Sequence, residues 1–121
     1  MIEIPNDEQL VFDTVAEHLL KQGKRCVLDN TDTSACMYRN DEGLKCAAGC
    51  LIPDDQYTPE LEGKSWTSLA RENLVSYNCV MLINDLQSIH DVCEPKDWLL
   101  ELHEFAEIKN LDTSKLPPLT Q

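Results

Sequence analysis

Two cysteine-containing pairs, Cys46-x3-Cys50 and His90-x2-Cys93, have residue types and spacing suited to chemistry. Thiols at the first spacing fall within the range used by zinc, and His90 with Cys93 adds two soft ligands on one helical face. A four-coordinate Cys3His structural zinc site is therefore one expectation. Packed thiols are the other, because zinc modules usually show two tight cysteine pairs beside turn glycines, and free cysteine behaves as a small buried hydrophobe. A nucleophilic reading is also open. Cys50 follows Gly49 in a tight segment, and His90 can act as its base if the fold brings the two together. Cys50 and His90 are the catalytic candidates on that reading, which requires hydrogen-bond geometry and a depressed thiol pKa.

Other residue types offer less. Asp54-Asp55 and Asp41-Glu42 are neighbouring carboxylates in turns, where solvation is their ordinary fate. His103-Glu104 lacks the second histidine of a metalloprotease helix, and the sequence contains no glycine-rich phosphate loop. Arg39 and Lys45 are isolated cations among acids, expected to balance their neighbours rather than grip a ligand.

These side chains must be placed by the elements around them. Asn6 with Gln9 reads as a capping box and Gly23 as a left-handed stop, which predicts a helix over about Asp7 to Gln22 with Val11, Phe12, Val15, Ala16, Leu19 and Leu20 inward. Asp29 to Ser34 reads as a polar loop. Cys36 to Arg39 and Leu44 to Cys46 flank the turn formers Asn40, Asp41 and Gly43, predicting a small hairpin. Ala47, Ala48 and Gly49 leave almost no side-chain volume, so another element is expected to approach that backbone closely. A short helix capped by Ser65 should follow, with Trp66, Leu69, Ala70 and Asn73 on one side. A longer one spans about Cys79 to Val92, with Leu82, Ile83, Leu86, Ile89 and His90 in its apolar arc. Pro95 opens a last helix to about Lys109 that buries Trp98, Leu99, Leu102, Phe105 and Ala106. Opposite that arc, Glu94, Asp97, Glu101 and Glu104 form the most concentrated acidic stripe in the sequence. The expectation is an α+β fold, mainly α, with about four helices and a small two- or three-stranded antiparallel hairpin sheet. It would be one globular domain over 1–110, followed by an extended or disordered tail over 111–121.

Composition bounds the function. The chain has 121 residues and a net charge of -12, which repels phosphate backbones and anionic membranes and suits attraction to a basic protein surface. Direct nucleic-acid binding is disfavoured, and no apolar run approaches the roughly 20 residues needed to span a bilayer. The N-terminal residues carry neither the basic flank nor the apolar stretch of a signal peptide, so a cytoplasmic product with reduced cysteines is expected.

One string is specific: Cys36-x-Tyr38-Arg39, then Gly43-x-Lys45-Cys46-Ala47-x-Gly49-Cys50-Leu51-Ile52-Pro53-Asp54, followed by Tyr57 and Glu62-Gly63. It resembles a group of small, uncharacterised proteins encoded by bacteriophages and bacterial genomes. Leu86-Gln87, His90-Asp91 and Trp98 continue the likeness more loosely. The resemblance implies a mobile-element origin, with a host-cell cytoplasmic location if the gene is a phage's, and no catalytic assignment. With the charge, it gives the leading expectation: a noncatalytic acidic protein-interaction module. Such a module would inhibit a host defence or nucleic-acid-binding protein and contact its basic surface through Glu94, Asp97, Glu101 and Glu104, without a cofactor. A structural zinc domain using Cys46, Cys50, His90 and Cys93 is the alternative, and a cysteine-dependent enzyme the third reading.

Overall fold

Asp7, not Asn6, caps the first helix. In the computed structural model, which describes residues 1–28 and 36–119, α1 runs over Glu8–Gln22, and the Asp7 carboxylate accepts the Leu10 N–H at 3.1 Å. Asp7 is the last extended residue before the turn, and its charge suits the positive end of the helix dipole. Gly23 (φ 67°) closes the other end by donating to Leu19 O. Gln9, freed from a capping box, exchanges two hydrogen bonds with the backbone of Asp112, at 2.9 and 2.8 Å.

Three further helices follow: α2 over Trp66–Arg71, α3 over Val80–Val92 and α4 over Trp98–Lys109. Ser65 caps α2 through the Ser68 N–H, and Asn73, expected on its inner side, is instead exposed in a left-handed turn (φ 61°) just beyond the helix. Pro95–Asp97 forms a 3-10 turn leading into α4. α1 packs against α3, α4 and the Gly49–Leu51 turn, and α3 packs against α2 and α4. Phe12, Leu19, Ile83, Leu86, Trp98 and Leu102 meet at the centre, each fully buried. Burial of side chains of this size stabilises by about 1.5–3 kcal/mol each. Leu99 and Phe105, expected inside, are only half-buried.

The predicted hairpin sheet is not formed. Among the described residues no strand is present, only isolated bridges: Arg39 with Lys45, Val27 with Cys36, and Ile2 with Val75. The turn is held by two backbone bonds about the Arg39–Lys45 bridge, Cys46 N–H to Tyr38 O and Asn40 N–H to Leu44 O, each 3.2 Å, and beyond it side chains take the backbone groups that a longer or wider sheet would have used. The Glu62 carboxylate accepts the N–H groups of Tyr38 and Arg39, Gln22 accepts that of Lys45, and Gln87 that of Ala48. Asn40 bonds Val27 O and the N–H groups of Glu42 and Leu44, while Gly43 (φ 83°) makes the expected turn. The tight approach predicted at 47–49 is present. A Cβ on Gly49 would lie 2.0 Å from the Tyr38 carbonyl oxygen.

The segment after Leu111 is irregular yet anchored. Besides the Gln9 pair, Leu116 is buried and the His103 ring bonds Pro117 O at 2.8 Å. The polar loop expected at 29–34 lies outside the described residues. Among the described residues no helix is long and apolar enough to cross a membrane.

Candidate functional site

His90 reaches the interior because it shares the apolar arc of α3, and it is fully buried. Both ring nitrogens are committed. Nε2 receives the backbone N–H of Cys26 at 2.9 Å and Nδ1 meets Asp91 Oδ1 at 2.8 Å. An acceptor at Nε2 places the imidazole proton on Nδ1, where it is donated to Asp91. Arg25, on the same chain segment as Cys26, donates Nε to His90 O and Nη2 to Cys93 O, so a guanidinium caps the negative end of α3.

Asp91 is the hub of this cluster. It accepts His90 Nδ1–H, Gln87 Nε2 at 2.7 Å and the Cys36 thiol. Burial pushes its carboxyl pKa up, but the bonds from His90, Cys36 and Gln87 outweigh burial and hold it below the usual carboxylate value. Burial, then the adjacent Asp91 charge, pushes the Cys36 thiol up to about 11.

The residues proposed for zinc do not converge. Among the described residues, the one group of three or more potential ligands with donor atoms within 4.8 Å of one another is Cys36, His90 and Asp91. Cys46 Sγ accepts the Gly49 N–H and Cys50 Sγ donates to Ala47 O, so each thiol serves its own turn. Cys93 lies instead beside the Glu101 carboxylate. Even the Cys36 group is poorly set for metal, because the Nδ1 facing it carries the proton that Cys26 forces there.

The thiols are also poor nucleophiles. Burial pushes Cys50 and Cys26 up to about 12 and Cys46 well above the ordinary thiol value, while Cys79 and Cys93 rise chiefly by burial too. Reactive cysteines need the opposite shift. Cys50 gains no support as a catalytic residue, and His90 spends both nitrogens elsewhere.

Arg39 and Lys45 behave as the sequence suggested. Both pair with the exposed Asp54, at 2.8 and 3.4 Å, and hydrogen bonding and charge from Lys45 and then Arg39 lower its carboxyl pKa. Arg39 also lies over the Tyr57 ring, 5.0 Å from its centroid.

The acidic stripe is at the surface, with Glu94, Asp97 and Glu104 exposed and Glu101 half-buried. Lys96 approaches Asp97 at 4.0 Å, and among the described residues no lysine or arginine pairs with Glu94, Glu101 or Glu104. A cleft of about 370 Å³ has Cys36, Tyr38, Trp66, Asn84, Gln87 and Asp91 in its wall. Sequence reasoning missed Cys36 and Asp91 as partners. The i, i+4 spacing of Gln87 and Asp91 was the available signal. No family model, curated protein or solved structure matches the chain.

Proposed function

We propose that this chain is a noncatalytic interaction protein that docks an acidic surface, led by Glu94, Asp97, Glu101 and Glu104, onto a basic surface of another protein. The observation that carries the reading is the stripe itself, Glu94 and Asp97 before α4 and Glu101 and Glu104 on it: surface carboxylates of which, among the described residues, only Asp97 has a lysine beside it, in a chain of net charge -12. Uncompensated like charge costs stability within the fold and is recovered when a cationic surface covers it, with faster, salt-sensitive association. The raised thiols and the committed His90 remove the support for the catalytic alternative. The resemblance to phage-encoded proteins supplies the partner class, a host defence or nucleic-acid-binding protein whose basic surface is blocked.

Affinity capture from host lysate tests this with wild type and a Glu101→Lys/Glu104→Lys variant, each at low and high salt. A partner retained by wild type at low salt, released by high salt and missed by the folded variant supports the reading. Retention of no partner at low salt, or equal retention by the variant, overturns it.

A further inference from the structure

The segment beyond Leu111 builds one wall of a groove against α4. Asn110 (φ 58°) turns the chain at the helix end, and the Leu111 N–H closes onto Ala106 O at 2.8 Å. Gln9 then pins Asp112 to α1, and His103, about two turns back along α4, holds Pro117 O. Pro117 and Pro118 have no N–H to give a helix, so the strap lies against α4 without joining it. Between strap and helix is a groove of about 550 Å³, lined by Leu100, His103, Glu104 and Glu107 of α4 and by Leu111 and Leu119 beyond it. The α4 residues fall at i, i+3, i+4 and i+7, which is one face of a helix.

This lining is apolar and acidic together. Leu100 and Leu119 stay 46% and 44% exposed, and they share one groove instead of lying scattered over the surface. Glu104 and Glu107 are exposed in the same lining, and among the described residues neither pairs with a lysine or arginine. The nearest cations in the sequence are engaged on other helices: Lys109 with Asp85 of α3 and Lys115 with Asp13 of α1, each at 3.8 Å.

We infer that this groove receives a basic amphipathic segment of the partner protein, with an apolar side chain against Leu100 and Leu119 and flanking lysines or arginines on Glu104 and Glu107. The inference rests on the interaction reading and deepens it, because Glu104 belongs both to the acidic stripe and to the groove. Charge selects the occupant. A second copy would bring its own net charge of -12, and nucleic acid or an anionic membrane would bring phosphates, so an acidic lining repels all three. An uncharged apolar ligand gains nothing from Glu104 and Glu107, whereas a basic amphipathic segment uses both parts of the lining.

The test uses the full chain and a short acetylated, amidated peptide of leucine and lysine in an amphipathic helical pattern. Control peptides replace every leucine by serine or every lysine by glutamate. Binding is followed by NMR through the backbone amides of Leu100, Glu104, Thr113 and Leu119. Saturable shifts at these residues, affinity at least about tenfold above that of the leucine-free peptide, weakening by salt and no binding of the acidic peptide support the inference. Leu119→Lys on the strap and Leu100→Ser on α4 leave Glu94, Asp97, Glu101 and Glu104 untouched, and each should weaken binding by at least about tenfold. Absent saturation, shifts confined to residues outside the groove, equal binding of the leucine-free peptide, or unchanged binding in both variants overturns it. Partner capture with Leu119→Lys separates the two claims. A partner retained as well as by wild type docks on the stripe outside the groove, which overturns the inference and leaves the interaction reading standing. Peptide binding in the groove with no partner captured at low salt leaves the groove's preference standing and overturns the interaction reading.

Discussion

Cys26 donates its backbone N–H to His90 Nε2 over 2.9 Å, inside a fully buried environment. A ring nitrogen that accepts a hydrogen bond carries a lone pair, so the proton must sit on Nδ1, the nitrogen that faces Asp91 and Cys36. A metal at that place would need the same Nδ1 lone pair, and freeing it would require Cys26 to lose its acceptor. Protein purified without chelator is therefore expected to carry well under one equivalent of zinc by elemental analysis. Stoichiometric zinc that disappears in Cys36→Ser would show that Nε2 does release Cys26.

Gly49 carries the tightest contact in the fold. A methyl there would sit 2.0 Å from the Tyr38 carbonyl oxygen, 2.8 Å from its carbon and 3.0 Å from its Cα, all of them backbone atoms that cannot rotate away. Gly49→Ala is expected to cost about 3 kcal/mol or more in urea denaturation, at the upper end of overpacking effects. Ala48→Gly, which adds no volume, should cost much less. Equal losses would mean that the approach of Tyr38 is adaptable.

Helices were legible because their signals are local. The inward residues of α1 and α3 follow from a 3.6-residue period, and Gly23 and Ser65 end or start helices by their own backbone and side-chain chemistry. The hairpin shrinks to the single Arg39–Lys45 bridge because the N–H groups of Tyr38, Arg39, Lys45 and Ala48 find acceptors on Glu62, Gln22 and Gln87, which lie 23 to 39 residues away. Turn formers at Asn40 and Gly43 predicted the reversal correctly but carry no information about such distant acceptors. The same limit hid the Cys36–Asp91 contact. Cysteine spacing drew attention to Cys46 and Cys50, whose short-range bonds to their own turn are a packing device that imitates ligand spacing.

Thiol reactivity should rank by exposure and pKa together. Cys36 is exposed with a pKa near 11, described above, whereas Cys46 is buried and Cys50 is partly buried with its pKa pushed to about 12. Iodoacetamide at neutral pH is expected to label Cys36 first in the folded protein, with Cys50 no faster than in a denatured control and Cys46 slowest. Peptide mapping after timed alkylation measures this. Faster labelling of Cys50 in the folded state would restore the nucleophilic reading that its pKa removes.

Acidification should weaken the fold in two separate windows. His18 donates from Nε2 to Lys45 O at 2.9 Å, and burial lowers its pKa from the ordinary 6.5 despite that bond. Because the unfolded chain then binds a proton that the folded chain refuses, its contribution is present above about 6.5 and is lost as pH falls from there towards the lower folded value. Asp91, held low by His90, Cys36 and Gln87 in spite of burial, acts in the same direction but further down. Its contribution is present above the ordinary carboxylate value of about 4 and disappears as pH falls through the folded one. Urea midpoints measured from pH 8 to pH 3 should therefore decline in two stages. His18→Gln should flatten the upper stage and Asp91→Asn the lower. A single decline that neither substitution alters would assign the acid sensitivity to other groups.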